Sequence, residues 1–293
     1  MVTFGTSSMK FRSRAREFLA EFLGTFLLVF IGNNAVAQTI LSDGAGGNSI
    51  TIYFGYGFGL FLGVLLAGGV SGGHLNPAVS VAGAIMKKFK WQKVPYYMLA
   101  QYLGAFIAAC GTYAVYADSF KAYHALHGIN KTTASVFATF PKDDVSVFGS
   151  FLDQVLGSMI LLLGIYAITD PFNKVSPQLV PIYVSLTLIS VACSLGINQG
   201  FAVNPARDLA PRFFTFLTSW GSDVFNPSTY WYVTLIGPHI GAVIGSAIYV
   251  FVIEKLRLVQ DVSIKSGVAN LDVGVTKNKF CEFTKGDDHS CRF

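Results

Sequence analysis

Ser71-Gly72-Gly73-His74-Leu75-Asn76-Pro77-Ala78-Val79 and Gly200-Phe201-Ala202-Val203-Asn204-Pro205-Ala206-Arg207-Asp208 carry one pattern twice, a glycine-containing apolar approach followed by Asn-Pro-Ala. A single Asn-Pro-Ala can start any helix, because Asn is a good N-cap and Pro suits the first helical position. Two copies in matching contexts, 128 positions apart in a chain of 293, mark a duplicated unit instead. The flanks repeat as well. A carboxylate followed shortly by glycine precedes each copy, Glu21 before Gly24 and Asp153 before Gly157, and the acids lie 55 and 51 residues ahead of the two Asn residues.

Hydrophobic residues make up 52% of the chain and charged residues 13%, with the charges gathered between long uncharged stretches. That is a membrane-protein composition. Six segments, about 18–41, 50–73, 95–116, 150–169, 179–203 and 229–253, reach the length of a span, since roughly 30 Å of hydrocarbon needs roughly 20 apolar residues. The stretches after the motifs, 74–93 and 204–220, are too short to cross as helices. With both termini cytoplasmic, 16 of the 21 Lys and Arg fall on the inner side, so the positive-inside rule supports an even number of spans. The net charge of +5 is then topological, and a nucleic-acid surface is excluded because no soluble domain carries the basic residues.

The basic stretch Lys10 to Arg16 is read as flanking a retained span rather than opening a signal peptide, because the apolar run after it is long and contains Glu21, Asn33 and Asn34. Cys110 and Cys193 lie in spans, and Cys281 and Cys291 in the C-terminal tail, so no disulfide framework is expected. Residues 1–17 read as a cytoplasmic segment, 18–254 as the channel domain and 255–293 as a mobile cytoplasmic tail. Within the domain, repeats of about 18–116 and 150–254 are joined by an external loop, 117–149, which carries the glycosylation sequon at Asn130.

Each repeat holds three spans, an odd number, so the second enters the membrane inverted. The two motifs then approach from opposite faces as re-entrant half-helices of about ten residues, covering roughly 15 Å each. Their N-termini meet at the midplane, with Asn76 and Asn204 as caps, Pro77 and Pro205 at the first helical position, and Ala78 and Ala206 behind them. Converging helix dipoles repel protons and cations and leave neutral molecules unaffected. The Asn carboxamides are expected to donate to a passing oxygen. Backbone carbonyls of Gly72, Gly73, His74 and Leu75, and of Asn198, Gln199, Gly200 and Phe201, are expected to line the lumen as acceptors.

These residues resemble the major intrinsic proteins, or aquaporins, and within them the aquaglyceroporins. The two motif stretches match the family signatures almost unchanged, and the resemblance covers about residues 17–254. It implies an all-α membrane protein of six tilted spans and two half-helices, assembled as a homotetramer with one pore per subunit. It also implies a constriction formed by Tyr56, Ala192, Phe201 and Arg207. Water-selective members carry His where this chain has Ala192, so the smaller residue implies a wider filter, suited to glycerol, water and other small neutral solutes such as urea. Tyr56 and Phe201 would offer an apolar corner and Arg207 hydroxyl donors. Asp208 fits the glycerol branch and also fits simple charge placement in a first helical turn, or a partner for Arg207 or Arg212. Where the family pattern leads one to expect Pro in the last span, this chain has Thr234.

Glu21 and Asp153 are intramembrane acids, a setting that also occurs in proton relays. The resemblance favours their holding the backbone of the re-entrant loops from behind. Glycines at helical spacing, Gly55, Gly59 and Gly63, and Gly237, Gly241 and Gly245, read as ridges for close helix packing. The combined expectation is a passive channel in the plasma membrane, without cofactor, metal or catalytic step. A strict water channel, a proton-coupled transporter using Glu21 and Asp153, and a junctional protein with a closed pore are the alternatives.

Overall fold

The computed structural model describes residues 4–225 and 230–257, with side chains from Ser13 onward. All regular structure among them is helical. Repeat one contains α1 (Phe4–Ile40), α2 (Ser49–Ser71), the short α3 (Pro77–Ile85) and α4 (Val94–Val115). Two small helices follow, α5 (Ala117–His127) and α6 (Lys131–Ala134). Repeat two contains α7 (Val147–Thr169), α8 (Val180–Leu195), the short α9 (Pro205–Leu217) and α10 (Tyr230–Ile248), which ends in a π turn, Tyr249–Glu254. Six of these helices are long and apolar enough to cross a membrane, one for each expected span. The chain is a multi-pass membrane protein.

Three boundaries differ from the sequence reading. α1 begins at Phe4 rather than near 18, because Lys and Arg are good helix formers and a change in polarity does not end a helix. The fifth span stops at Leu195 instead of running to 203. Gly196, the positive φ of Gly200 (84°) and Pro205 end the helical path. The connector 117–149 carries α5 and α6, and its Phe120 and Phe137 pack with Trp220 and Phe214 over one end of the bundle. From 258 onward the expected tail, with Cys281 and Cys291, lies outside the described residues.

α1 packs against α2 and α4, and α7 packs in the same way against α8 and α10. Glycine makes the approach possible. A Cβ on Gly63 would lie 2.6 Å from the Gly24 carbonyl oxygen, and one on Gly241 would lie 2.0 Å from that of Val155. The expected ridges thus seat α2 on α1 and α10 on α7. Each short helix packs against the last span of the opposite repeat, α3 on α10 and α9 on α4, and the two also meet each other. Polarity is arranged for lipid. Phe58, Leu65, Leu99, Leu186 and Ile236 face outward, whereas Glu21, Gln101, Gln154, Asp208 and Arg212 are buried.

Candidate functional site

Asn76 and Asn204 are extended residues that cap α3 and α9. The Asn76 Oδ1 accepts from the Ala78 N–H at 2.8 Å, and the Asn204 Oδ1 accepts from those of Ala206 and Arg207 at 3.0 and 3.3 Å. Pro77 and Pro205 take the first helical position, where no N–H partner is needed.

The residue before each cap is strained. Leu75 has φ 50° and Val203 φ 40°, a left-handed backbone that costs a bulky or β-branched residue roughly 1–3 kcal/mol. Both ends of each peptide are held. The Leu75 N–H donates to Glu21 Oε2 at 2.8 Å, and its carbonyl accepts from Asn204 Nδ2 at 2.8 Å. The Val203 N–H donates to Gln154 Oε1 at 2.9 Å, and its carbonyl accepts from Asn76 Nδ2 at 2.9 Å. Each carboxamide therefore commits one N–H to the opposite repeat, leaving one for a passing oxygen.

Glu21 accepts from the backbone N–H of His74 and Leu75, from Ser71 Oγ and from Gln101 Nε2. The Asp153 carboxylate accepts from the Asn198 side chain at 3.1 Å, and it is the neighbouring residue Gln154 that supports the loop backbone. One signal pointed to Gln154: Gly157 follows it by three residues, as Gly24 follows Glu21, whereas matching acid to acid selects Asp153. Gln101, which ties Glu21 to Ser80 in α3, carried no motif and was missed.

A cavity of about 300 Å³ runs inward from Lys88, Phe89, Asp170, Pro171 and Glu254. It passes Gly72 to Asn76 and Ala202 to Asn204 and reaches Tyr56, Phe201 and Arg207. His74 lies on this wall, joined to Ser80 by a 3.0 Å hydrogen bond. Asn198, Gln199 and Gly200 lie beyond the residues that line it. The Asn198 side chain bonds Asp153, the Gln199 side-chain amide donates to the Ser150 carbonyl at 2.7 Å, and the wall of this cavity starts at Phe201.

At the inner end of the cavity the Tyr56 and Phe201 rings meet edge to face with centroids 5.4 Å apart, and the Arg207 guanidinium carbon lies 4.4 Å from the Tyr56 centroid. The Tyr56 hydroxyl donates to Asn33 Oδ1 at 2.7 Å, which fixes the ring from α1. Gly32 makes room for it, since a Cβ there would lie 2.2 Å from the ring. Arg207 is buried, and its Nε and Nη1 have no hydrogen-bond partner among the described residues. Ala192 is wholly buried in α8 and is not part of the cavity wall.

Asp208 is a junction. It accepts from Arg212 at 2.9 and 3.1 Å, from the Thr139 N–H and Oγ1 at 2.8 and 2.7 Å, and from Thr234 Oγ1 at 2.8 Å. Its contact with Arg207 is longer, 3.9 Å. Thr234, where Pro was expected, therefore supplies a donor. Two ion pairs flank the open mouth of the cavity, Lys88 with Glu254 at 2.8 Å and Asp170 with Arg257. Burial alone would raise the Asp170 carboxyl, but donors from Arg257, Tyr249 and the Phe172 N–H outweigh it and hold the group below its ordinary value.

Residues 7–249 match the family model described as major intrinsic protein. The chain belongs to the major intrinsic protein family. Within that family it is 47% identical over 247 residues to aquaporin-9 of Homo sapiens, covering 83% of this chain and 84% of the relative. It is 45% identical over 242 residues to aquaglyceroporin-2 of Rhizophagus irregularis, covering 80% and 76%. The solved structure of the aquaglyceroporin from Plasmodium falciparum is similar with a TM-score of 0.77 at 33% identity, covering 84% of this chain and 99% of that one.

Proposed function

We propose that the chain is a passive membrane channel for water and small uncharged polyols, chiefly glycerol, that excludes protons and ions. The observation that carries this reading is the mixed inner end of the cavity, where the Tyr56 and Phe201 rings meet the guanidinium of Arg207. A polyol has the same mixed character. Its CH edge can slide on the rings while its hydroxyls accept from the guanidinium. The names of the aquaglyceroporin relatives agree with it.

In this reading Tyr56, Ala192, Phe201 and Arg207 form the constriction, with Ala192 setting its width. The caps Asn76 and Asn204, with Pro77, Ala78, Pro205 and Ala206, form the midplane, where two helix N-termini and Arg207 oppose cations. Glu21, Gln154 and Asp208 hold these parts from behind. The channel works as a homotetramer in the plasma membrane with cytoplasmic termini, as Lys and Arg placement supports. Urea is a further solute and Asn130 a glycan acceptor. No cofactor or metal takes part, and no bond is made or broken.

Proteoliposomes test the reading. Vesicles exposed to an external glycerol gradient should shrink and then re-swell as glycerol enters, with no dependence on a pH gradient. Shrinkage without re-swelling would leave a strict water channel, and uphill accumulation driven by pH would leave a coupled transporter.

A further inference from the structure

A second cavity, also about 300 Å³, lies outside the lumen at the foot of α1 and α4, walled by Arg14, Glu17, Lys90, Gln92, Lys93 and Tyr96. Its one acid is already engaged. Glu17 accepts from Lys93 Nζ at 2.7 Å on both oxygens and from the Tyr96 and Tyr97 hydroxyls at 2.8 and 3.2 Å. Arg14 and Lys90 are exposed and have no side-chain hydrogen bond or ion pair among the described residues. With Lys93 and Glu17 paired, the wall is left with two unmatched cations, Arg14 and Lys90.

The surroundings add the second half of the case. Tyr96, Leu99 and Leu103 follow at i, i+3 and i+7 on one face of α4, and Leu99 and Leu103 are 54% and 42% exposed. Trp91, 54% exposed, stands at the foot of the same helix, where an indole marks a membrane–water boundary. A cationic hollow at that boundary, continued by an apolar track, matches a molecule with an anionic head and acyl chains. A free anion would make no use of the track, and a zwitterionic head would leave the excess positive charge unmatched.

We propose that this cavity binds the headgroup of an anionic phospholipid, with its phosphate between Arg14 and Lys90 and an acyl chain along Leu99 and Leu103. The planar guanidinium can hold two phosphate oxygens, while the lysine acts as a point charge. The site is separate from the lumen and stands whether or not the solute assignment is correct.

The test uses the full-length protein in detergent micelles, with native mass spectrometry reading the lipid retained. Dioleoyl phosphatidylserine, dioleoyl phosphatidylcholine and inorganic phosphate serve as probes. The wild type should retain phosphatidylserine in preference to phosphatidylcholine, and inorganic phosphate at constant ionic strength should not displace it. The Arg14→Gln/Lys90→Gln pair should lower retention about tenfold or more, given the usual attraction of each basic residue to an anionic surface. The Arg14→Lys/Lys90→Arg pair should keep the preference, and Lys121→Gln in α5 should change nothing. Equal retention of the two lipids by the wild type, equal phosphatidylserine retention by the neutral pair, or displacement by inorganic phosphate would each overturn the proposal. If the neutral pair does not fold, the lipid preference of the wild type and of the conservative pair decides the matter alone.

Discussion

Ala192 and Gln154 show at single positions what residue identity can and cannot carry. Ala192 contributes only a methyl group, wholly buried in α8, so an imidazole there must displace its neighbours, and under the proposed reading it enters the constriction. Ala192→His should therefore lower glycerol permeability at least tenfold more than water permeability in paired vesicle assays; equal loss of both would remove Ala192 from the constriction. Gln154 makes the corresponding point about support. Gln154→Leu removes the acceptor of the buried Val203 N–H, a loss of about 1–3 kcal/mol, whereas Asp153→Asn keeps a polar partner for Asn198. The apparent thermal midpoint in detergent should fall clearly for the first and little for the second. Tyr56 and Arg207 were accessible by offset from the motifs. The Asn33 bond and the Gly32 clearance that fix the Tyr56 ring were not, because they join positions on α1 and α2 that share no pattern in sequence.

Among the elements, the helices and their re-entrant character could be read from apolar length, the odd span count and Asn-Pro capping. What holds them to one another was less visible. Asp208 joins α9 to the connector through Thr139 and to α10 through Thr234, and neither threonine belongs to a motif. Asp208→Asn would leave Arg212 a buried cation without its counter-charge, and breaking such a pair from one side costs about 3–5 kcal/mol. The expected readout is loss of folded protein on gel filtration, with little rescue by added glycerol. At the opposite face, the Asp170–Arg257 pair joins the turn after α7 to the end of α10. Its carboxyl lies below the ordinary value, so its stabilising contribution is complete above about pH 4 and is lost as pH falls through the lower native value. Asp170→Asn should thus lower the thermal midpoint at pH 7, with the difference from wild type closing only in strong acid. A constant difference down to pH 2 would show that the carboxylate charge plays no part.

Across the whole molecule, the two repeats are joined at their most strained points. Leu75 and Val203 are each held by a span of their own repeat at the N–H and by the opposite Asn at the carbonyl, so neither loop keeps its shape independently of the other. The duplication was evident in sequence, but this reciprocity required knowing that the motifs meet with one carboxamide donor turned sideways. The arrangement predicts coupling between residues 128 positions apart. Asn76→Ala removes a helix cap and a cross-repeat bond, each contributing about 1 kcal/mol, and Asn204→Ala removes the matching pair. Once either cross-repeat bond is gone, the strained residue it restrained can relax and weaken the other bond before the second substitution is made. The double variant should therefore lose less stability than the two singles combined, by about 0.5–1 kcal/mol in a double-mutant cycle. Charge exclusion should fail in parallel, because the two helix ends are aimed at one point only while the loops hold each other. Proton leak through vesicles should then rise in each single variant and little further in the double, whereas strictly additive stabilities and leaks would mean that the half-helices are positioned independently.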